Sequence, residues 1–138
     1  MATDRIPDPS ELIVYLDRSD IREGRLDDLK VGIRRVVQVI ESSEPQLLAY
    51  GFHLDEEAAL MTVVAIHPDS ASLELHLEVG RAAFRSLADM ITLRQIEVYG
   101  APSEKALRML EEKATMLGGT SIRVFERFEG FARLPFAS

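Results

Sequence analysis

Between Leu60 and His76 the chain reads LMTVVAIHPDSASLELH. No other stretch constrains the fold as tightly. Its opening is rich in β-branched residues, which suit a pleated, half-buried strand. Pro68 cannot donate to a strand ladder, and Asp69 or Ser70 offers a side-chain oxygen to cap a helix. The pattern then predicts a helix to about Val79, with Gly80 interrupting it. A strand, a tight break and a helix that contains His76 follow one another at once, and together they are expected to build one wall of a small pocket.

The rest of the chain supplies that sheet. Leu12 to Leu16 reads as the first strand, with Leu12, Val14 and Leu16 turned to the helices and Ile13, Tyr15 and Asp17 away from them. Asp20 and Glu23 have the form of a capping box. Leu26, Leu29, Ile33, Val36, Val37 and Ile40 recur at helical spacing after it, and Glu44-Pro45 stops the helix. Leu47 to Leu54 and Leu60 to Ile66 pair as a hairpin about Asp55-Glu56-Glu57. That pairing predicts Leu48, Tyr50, Phe52, Thr62, Val64 and Ile66 under the helices. It puts Ala49, Gly51, His53, Met61, Val63, Ala65 and His67 on the opposite face. Ala49, Gly51 and Ala65 are small and leave volume there, for a ligand or for the bulk of a partner subunit.

Phe84, Leu87 and Ile91 form the stripe of a further helical piece. Leu93 to Tyr99 reads as a strand, with Ile96 and Val98 opposite Gln95, Glu97 and Tyr99. Ser103 is the expected cap of a helix carrying Ala106, Leu107, Leu110, Ala114 and Leu117, ended by Gly118-Gly119. Ile122 to Phe128 is the last expected strand, and a tail with Phe131, Leu134 and Phe136 is expected to dock. Residues 1–10 read as a flexible arm.

The order β-α-β-β-α-β, then α-β, predicts an α+β class. It is a ferredoxin-like domain over residues 11–138, with an additional helix and strand from about residue 101. Both helices cover one sheet face, and the bare face is too apolar to stay wet, so a homodimer is expected. A net charge of −7 argues against a nucleic-acid partner. No apolar run approaches the ~18 residues of a membrane span, and no signal-peptide core is visible. The absence of cysteine excludes disulfides, thiolate metal sites and a cysteine nucleophile, and fits a cytoplasmic protein.

The segment HPDSASLELHLEVGRAAF resembles the one after the third strand of the antibiotic-biosynthesis-monooxygenase-like proteins. There an aromatic residue and a short acidic turn precede Ala-x-Leu-x-x-His, with a phenylalanine some residues later. Here these correspond to His67, Pro68-Asp69, Ser70 to His76, and Phe84. IREGRLDDL, from Ile21, looks like that family's turn into its first helix. The resemblance covers roughly residues 11–99. It implies a dimeric α/β barrel with a cavity in each subunit. It also implies relatives that oxidise quinols or polycyclic phenols without metal or flavin, and others that open haem. The family often carries Glu and Trp two residues apart at the end of its third strand; this chain has Ala65 and His67 there and no tryptophan.

His76 matches the family's histidine and is the first candidate base, being the side-chain type that titrates near neutrality; His67 is the second. Tyr15, Asp17, Gly51, Ala65, Glu97 and Tyr99 are the candidate ligand-lining residues, for a small aromatic molecule. Their alternative role is hydrogen bonding between subunits. Arg81 and Arg85 offer cations to an anionic group. The histidines form no metal signature, and no cofactor is called for. Three readings follow: a cofactor-independent monooxygenase of a small aromatic or quinol-like molecule, a non-catalytic small-molecule-binding protein, and a structural dimer whose cavity is filled by its own side chains.

Overall fold

A computed structural model describes residues 8–119 and 121–133. Strands β1 (Ile13–Ile21), β2 (Ala49–Asp55), β3 (Leu60–His67), β4 (Ile91–Tyr99) and β5 (Ser121–Phe125) form one sheet in the order β2-β3-β1-β4-β5. The first four pair antiparallel, and β5 adds to β4 in parallel. Helices α1 (Leu26–Ser43), α2 (Ser70–Val79), α3 (Arg81–Arg85) and α4 (Glu104–Met116) complete the fold. This is the expected α+β, ferredoxin-like pattern with an added α-β unit, and the sheet stays open.

Local chemistry sets the boundaries. Asp69 caps α2 by accepting from the Ser72 N–H, and Ser103 caps α4 by accepting from the Ala106 N–H. Leu29, Val36 and Ile40 are the buried stripe of α1, and Glu44 is its C-cap. Gly118 and Gly119 both take positive φ and end α4.

Several expectations need correction. The residues turned to the helices along β1 are Ile13, Tyr15, Asp17, Ser19 and Ile21, all buried, rather than Leu12, Val14 and Leu16. The hairpin register is also one residue away from the expected one. Phe52 lies opposite Val63, and Tyr50 opposite Ala65. The connection is Glu56 to Ala59, with Ala59 at φ 56; the longer loop leaves Tyr50 and Phe52 on the expected face and moves every β3 side chain to the other one. Tyr50, Phe52, Met61, Val63, Ala65 and His67 therefore share the helix side. Ala49, Gly51 and His53 share the open side with Thr62, Val64 and Ile66.

Asp20 is a strand residue, so the expected capping box does not form; α1 begins after Arg25 with no side-chain cap. Ile91 opens β4 instead of ending a helix, because α3 stops at Arg85. β5 ends at Phe125, and Phe128 and Phe131 are 96% and 75% exposed, so that part of the tail does not dock. Leu134, Phe136 and the arm's residues 1–7 lie outside the described residues. Residues 9–11 form a short 3₁₀ turn.

Candidate active site between the sheet and the helices

The space between sheet and helices is not purely apolar. β1 contributes Tyr15 and Asp17, α1 ends on Glu44, β3 ends on His67, α2 carries His76 and α4 carries Lys113; all six are buried. Burying a charge is costly unless it is paired, so each needs an account of its partners.

Two of them form a dyad. Nδ1 of His76 lies 2.8 Å from Oε1 and 3.0 Å from Oε2 of Glu44. A carboxylate only accepts, so the shared proton sits on Nδ1, which leaves a lone pair on Nε2. That Nε2 is buried and, among the described residues, has no hydrogen-bond partner. Burial lowers the pKa of His76, and its hydrogen bond to Glu44 opposes the shift. The result is a neutral, oriented imidazole with one nitrogen free to take a proton.

Beside it, His67 Nδ1 lies 2.7 Å from Ser72 Oγ, and its Nε2 is likewise buried without a partner among the described residues. The two imidazole centroids are 5.3 Å apart. Burial, then the neighbouring charges of His76 and Lys113, push the His67 pKa down to about 3.

The third group is a cluster around Lys113. Its Nζ donates to Tyr15 Oη at 3.0 Å and to Asp17 Oδ2 at 3.4 Å, and Tyr15 donates its own proton to Asp17 at 2.5 Å. Burial lowers the Lys113 pKa against the pull of Asp17. Burial and then the Asp17 charge raise that of Tyr15, which keeps its proton.

Phe84 joins the two halves. Its ring centroid is 5.1 Å from that of His76, and Lys113 Nζ lies 4.1 Å from it. Gly80 makes room for the ring: a Cβ there would collide with Phe84 and come within 2.8 Å of the His76 carbonyl oxygen. The interior cavity, lined in part by Asp17, Ser19, Tyr50, Phe84 and Lys113, has a volume of about 20 Å³. That is room for about one water molecule. A cleft of about 290 Å³ between α2, α3 and α4 lies just outside, and Phe84 and Lys113 line both spaces.

Of the residues singled out from sequence, Tyr15, Asp17, Ala65, His67 and His76 converge here. Ala65 sits in the sheet between Tyr15 and Tyr50, where a larger side chain would crowd both rings. Gly51, Glu97 and Tyr99 are elsewhere, on the open face. Gly51 lies under the His53 ring, Glu97 accepts from Gln95 and Arg18, and Tyr99 stacks on Phe125 with centroids 5.0 Å apart. Arg81 pairs with Glu112 at the cleft rim. Glu44 and Lys113 were missed. Both were marked: each is a charged residue continuing a buried helical stripe, Glu44 four positions after Ile40 and Lys113 three after Leu110. Among the described residues, no group of three or more His, Asp or Glu could hold a metal, and no helix is long and apolar enough to cross a membrane.

No family model matches the sequence, nor does any curated protein. Solved structures do match. MupZ from Pseudomonas fluorescens aligns with a TM-score of 0.70 at 20% identity, over 89% of this chain and 95% of that one. SnoaB from Streptomyces nogalater, described as a cofactor-independent oxygenase and solved as a point mutant, aligns at 0.55 and 9%, over 67% and 95%. A Caulobacter crescentus protein provisionally assigned as an antibiotic biosynthesis monooxygenase aligns at 0.57 and 14%, over 68% and 92%. Identities this low speak for the fold alone, and the fold is antibiotic-biosynthesis-monooxygenase-like.

Proposed function

We propose that this protein is a cofactor-independent monooxygenase of a small aromatic or quinol-like molecule, working as a cytoplasmic homodimer. The observation that carries the reading is the free Nε2 of His76, oriented from behind by Glu44 in a site shielded from water. Such a base removes the proton of a ring hydroxyl, leaving a negative charge shared with a ring carbon. The resulting anion passes an electron to dioxygen, and the radical pair closes to a peroxide at that carbon. Loss of a second proton from the carbon expels hydroxide, which leaves as water with the proton His76 returns. One oxygen atom ends in the product carbonyl and the other in water. The chain supplies the base and, beside it, a cavity of about one water's volume walled by Phe84, which packs on His76. The neighbouring fold of SnoaB supports the assignment.

The test is oxygen uptake with a panel of anthrones and quinols, under isotopically labelled dioxygen. One labelled oxygen per product is expected, with uptake lost in His76→Gln. No uptake above the uncatalysed rate, or equal uptake by His76→Gln, rejects the assignment.

A second reading is a non-catalytic binding protein or a structural dimer of the same fold. It is favoured by the small interior cavity, which Phe84 fills from within. Native mass spectrometry of protein from its own host would find no retained small molecule if the interior serves only as packing. The homodimer draws on the open sheet face, where Tyr99 and Phe125 are both more than a third exposed in the single chain.

A further inference from the structure

An ammonium group has three N–H donors, and the fold gives Lys113 two oxygen partners, Tyr15 Oη and Asp17 Oδ2. The remaining direction meets the face of Phe84, at 4.1 Å. The same ring packs against His76, whose Nε2 has no partner. Ser19, fully buried on the same cavity wall, also has a hydroxyl without a partner among the described residues. A phenylalanine ring is thus in contact with a cation and a base at once, next to a spare hydroxyl, and it makes no hydrogen bond to any of them.

We propose that Phe84 holds the place of a ligand's aromatic ring, and that Lys113 binds the ionised hydroxyl of that ligand. The ligand enters from the cleft between α2, α3 and α4, whose floor is Phe84 and Lys113. As the phenylalanine side chain swings toward the cleft, the incoming ring takes its site. The hydroxyl O–H bond breaks, the proton moves to His76 Nε2, and the electron pair stays on oxygen, held by Lys113. A charge-assisted hydrogen bond to an oxyanion is stronger than a cation–π contact, which drives the exchange. The inference rests on the proposed function in taking an aromatic hydroxyl compound as ligand. It adds the group that holds it, its ionised state and its route. Of the other titratable groups facing this space, Tyr15 and Tyr50 keep their protons, while Asp17 and Glu44 are already engaged with Lys113 and His76.

The experiment titrates para-nitrophenol, whose phenolate is coloured, in the presence of the full chain. Bound to the wild-type protein, its ionisation is expected to move about one pH unit or more toward acid. Lys113→Met combined with Asp17→Asn removes the pair without stranding a charge. In that variant the shift should vanish and phenolate affinity should fall about tenfold. Phe84→Leu, a smaller plug, should bind several-fold more tightly. Absence of binding to wild type, a shift that survives in the double variant, or unchanged affinity in Phe84→Leu overturns the proposal. A Lys113-dependent shift without oxygen uptake leaves this site standing and removes the oxygenase. Oxygen uptake with a Lys113-independent shift does the reverse.

Discussion

Glu44 Oε1 and His76 Nδ1 are 2.8 Å apart although 32 positions separate them in the chain. The C-cap of one helix and the middle of another meet in the interior, and their contact fixes which imidazole nitrogen carries the proton. If the other nitrogen, Nε2, is the base of the proposed reaction, His76→Gln should lower turnover by about 10²-fold or more. Glu44→Gln should lower it less and show a distinct signature. Glu44 holds the His76 pKa up against burial, so its loss should move the acid limb of the pH–rate profile to lower pH. Steady-state rates across that limb check both outcomes.

Stability should fall on acidification. His67 and His76 both have folded pKa values below the unfolded value of 6.5, to about 3 for His67. Below 6.5 the unfolded chain takes up protons that the folded chain refuses. The contribution is therefore complete above 6.5 and is lost as pH falls toward the folded values. Each histidine steepens the loss by at most ~1.4 kcal/mol per pH unit. Urea midpoints between about pH 7 and about pH 4 should drop accordingly, and His67→Phe should flatten the curve.

The Lys113–Asp17 pair should show strong coupling. Removing one partner leaves a buried charge alone, so Lys113→Met should cost about 3–5 kcal/mol. Adding Asp17→Asn should restore most of it, because no charge then remains unpaired. A double-mutant cycle in denaturant measures the coupling.

Gly80→Ala should be destabilising by about 1–3 kcal/mol, since the new methyl group collides with Phe84 and crowds the His76 carbonyl. Phe84→Leu in the same chain should recover part of that loss by withdrawing the ring. Thermal melts of the two single variants and the double one decide it.

Phe125→Glu tests the proposed homodimer: if two open sheet faces pair, it should split the pair while leaving each subunit folded. Phe125 stacks on Tyr99 on the open face, away from the helices, and a carboxylate there would place an unpaired charge in an apolar seam. Sedimentation should report a monomer with an unchanged far-ultraviolet spectrum.

The fold was readable because hydrophobic spacing carries element type and order. The stripe of α1, the caps Asp69 and Ser103 and the stop at Gly118-Gly119 all stand where the pattern put them. What the pattern could not carry was side. A strand's two faces differ only by parity, and one extra loop residue at Ala59 reversed the β2 assignment relative to β3. On β1 the aliphatic row looked like core, yet the row with Tyr15 and Asp17 is the buried one. Polar residues inside a fold look like surface until their partners are known, and those partners are distant in sequence. His76 was found by resemblance, whereas Glu44 and Lys113 needed the tertiary structure to reveal what they pair with.

Asp17 belongs to the first strand, while the ammonium that neutralises it lies 96 positions later, on α4. A layer of the first four strands formed without α4 would therefore lack the ammonium that its central carboxylate meets in the complete fold. A nascent chain halted after Tyr99 would have to keep Asp17 hydrated or protonated, and the layer would stay loosely closed. Maturation of the interior is thereby tied to arrival of the carboxy-terminal helix, so that truncated products would be poorly compacted and open to proteolysis.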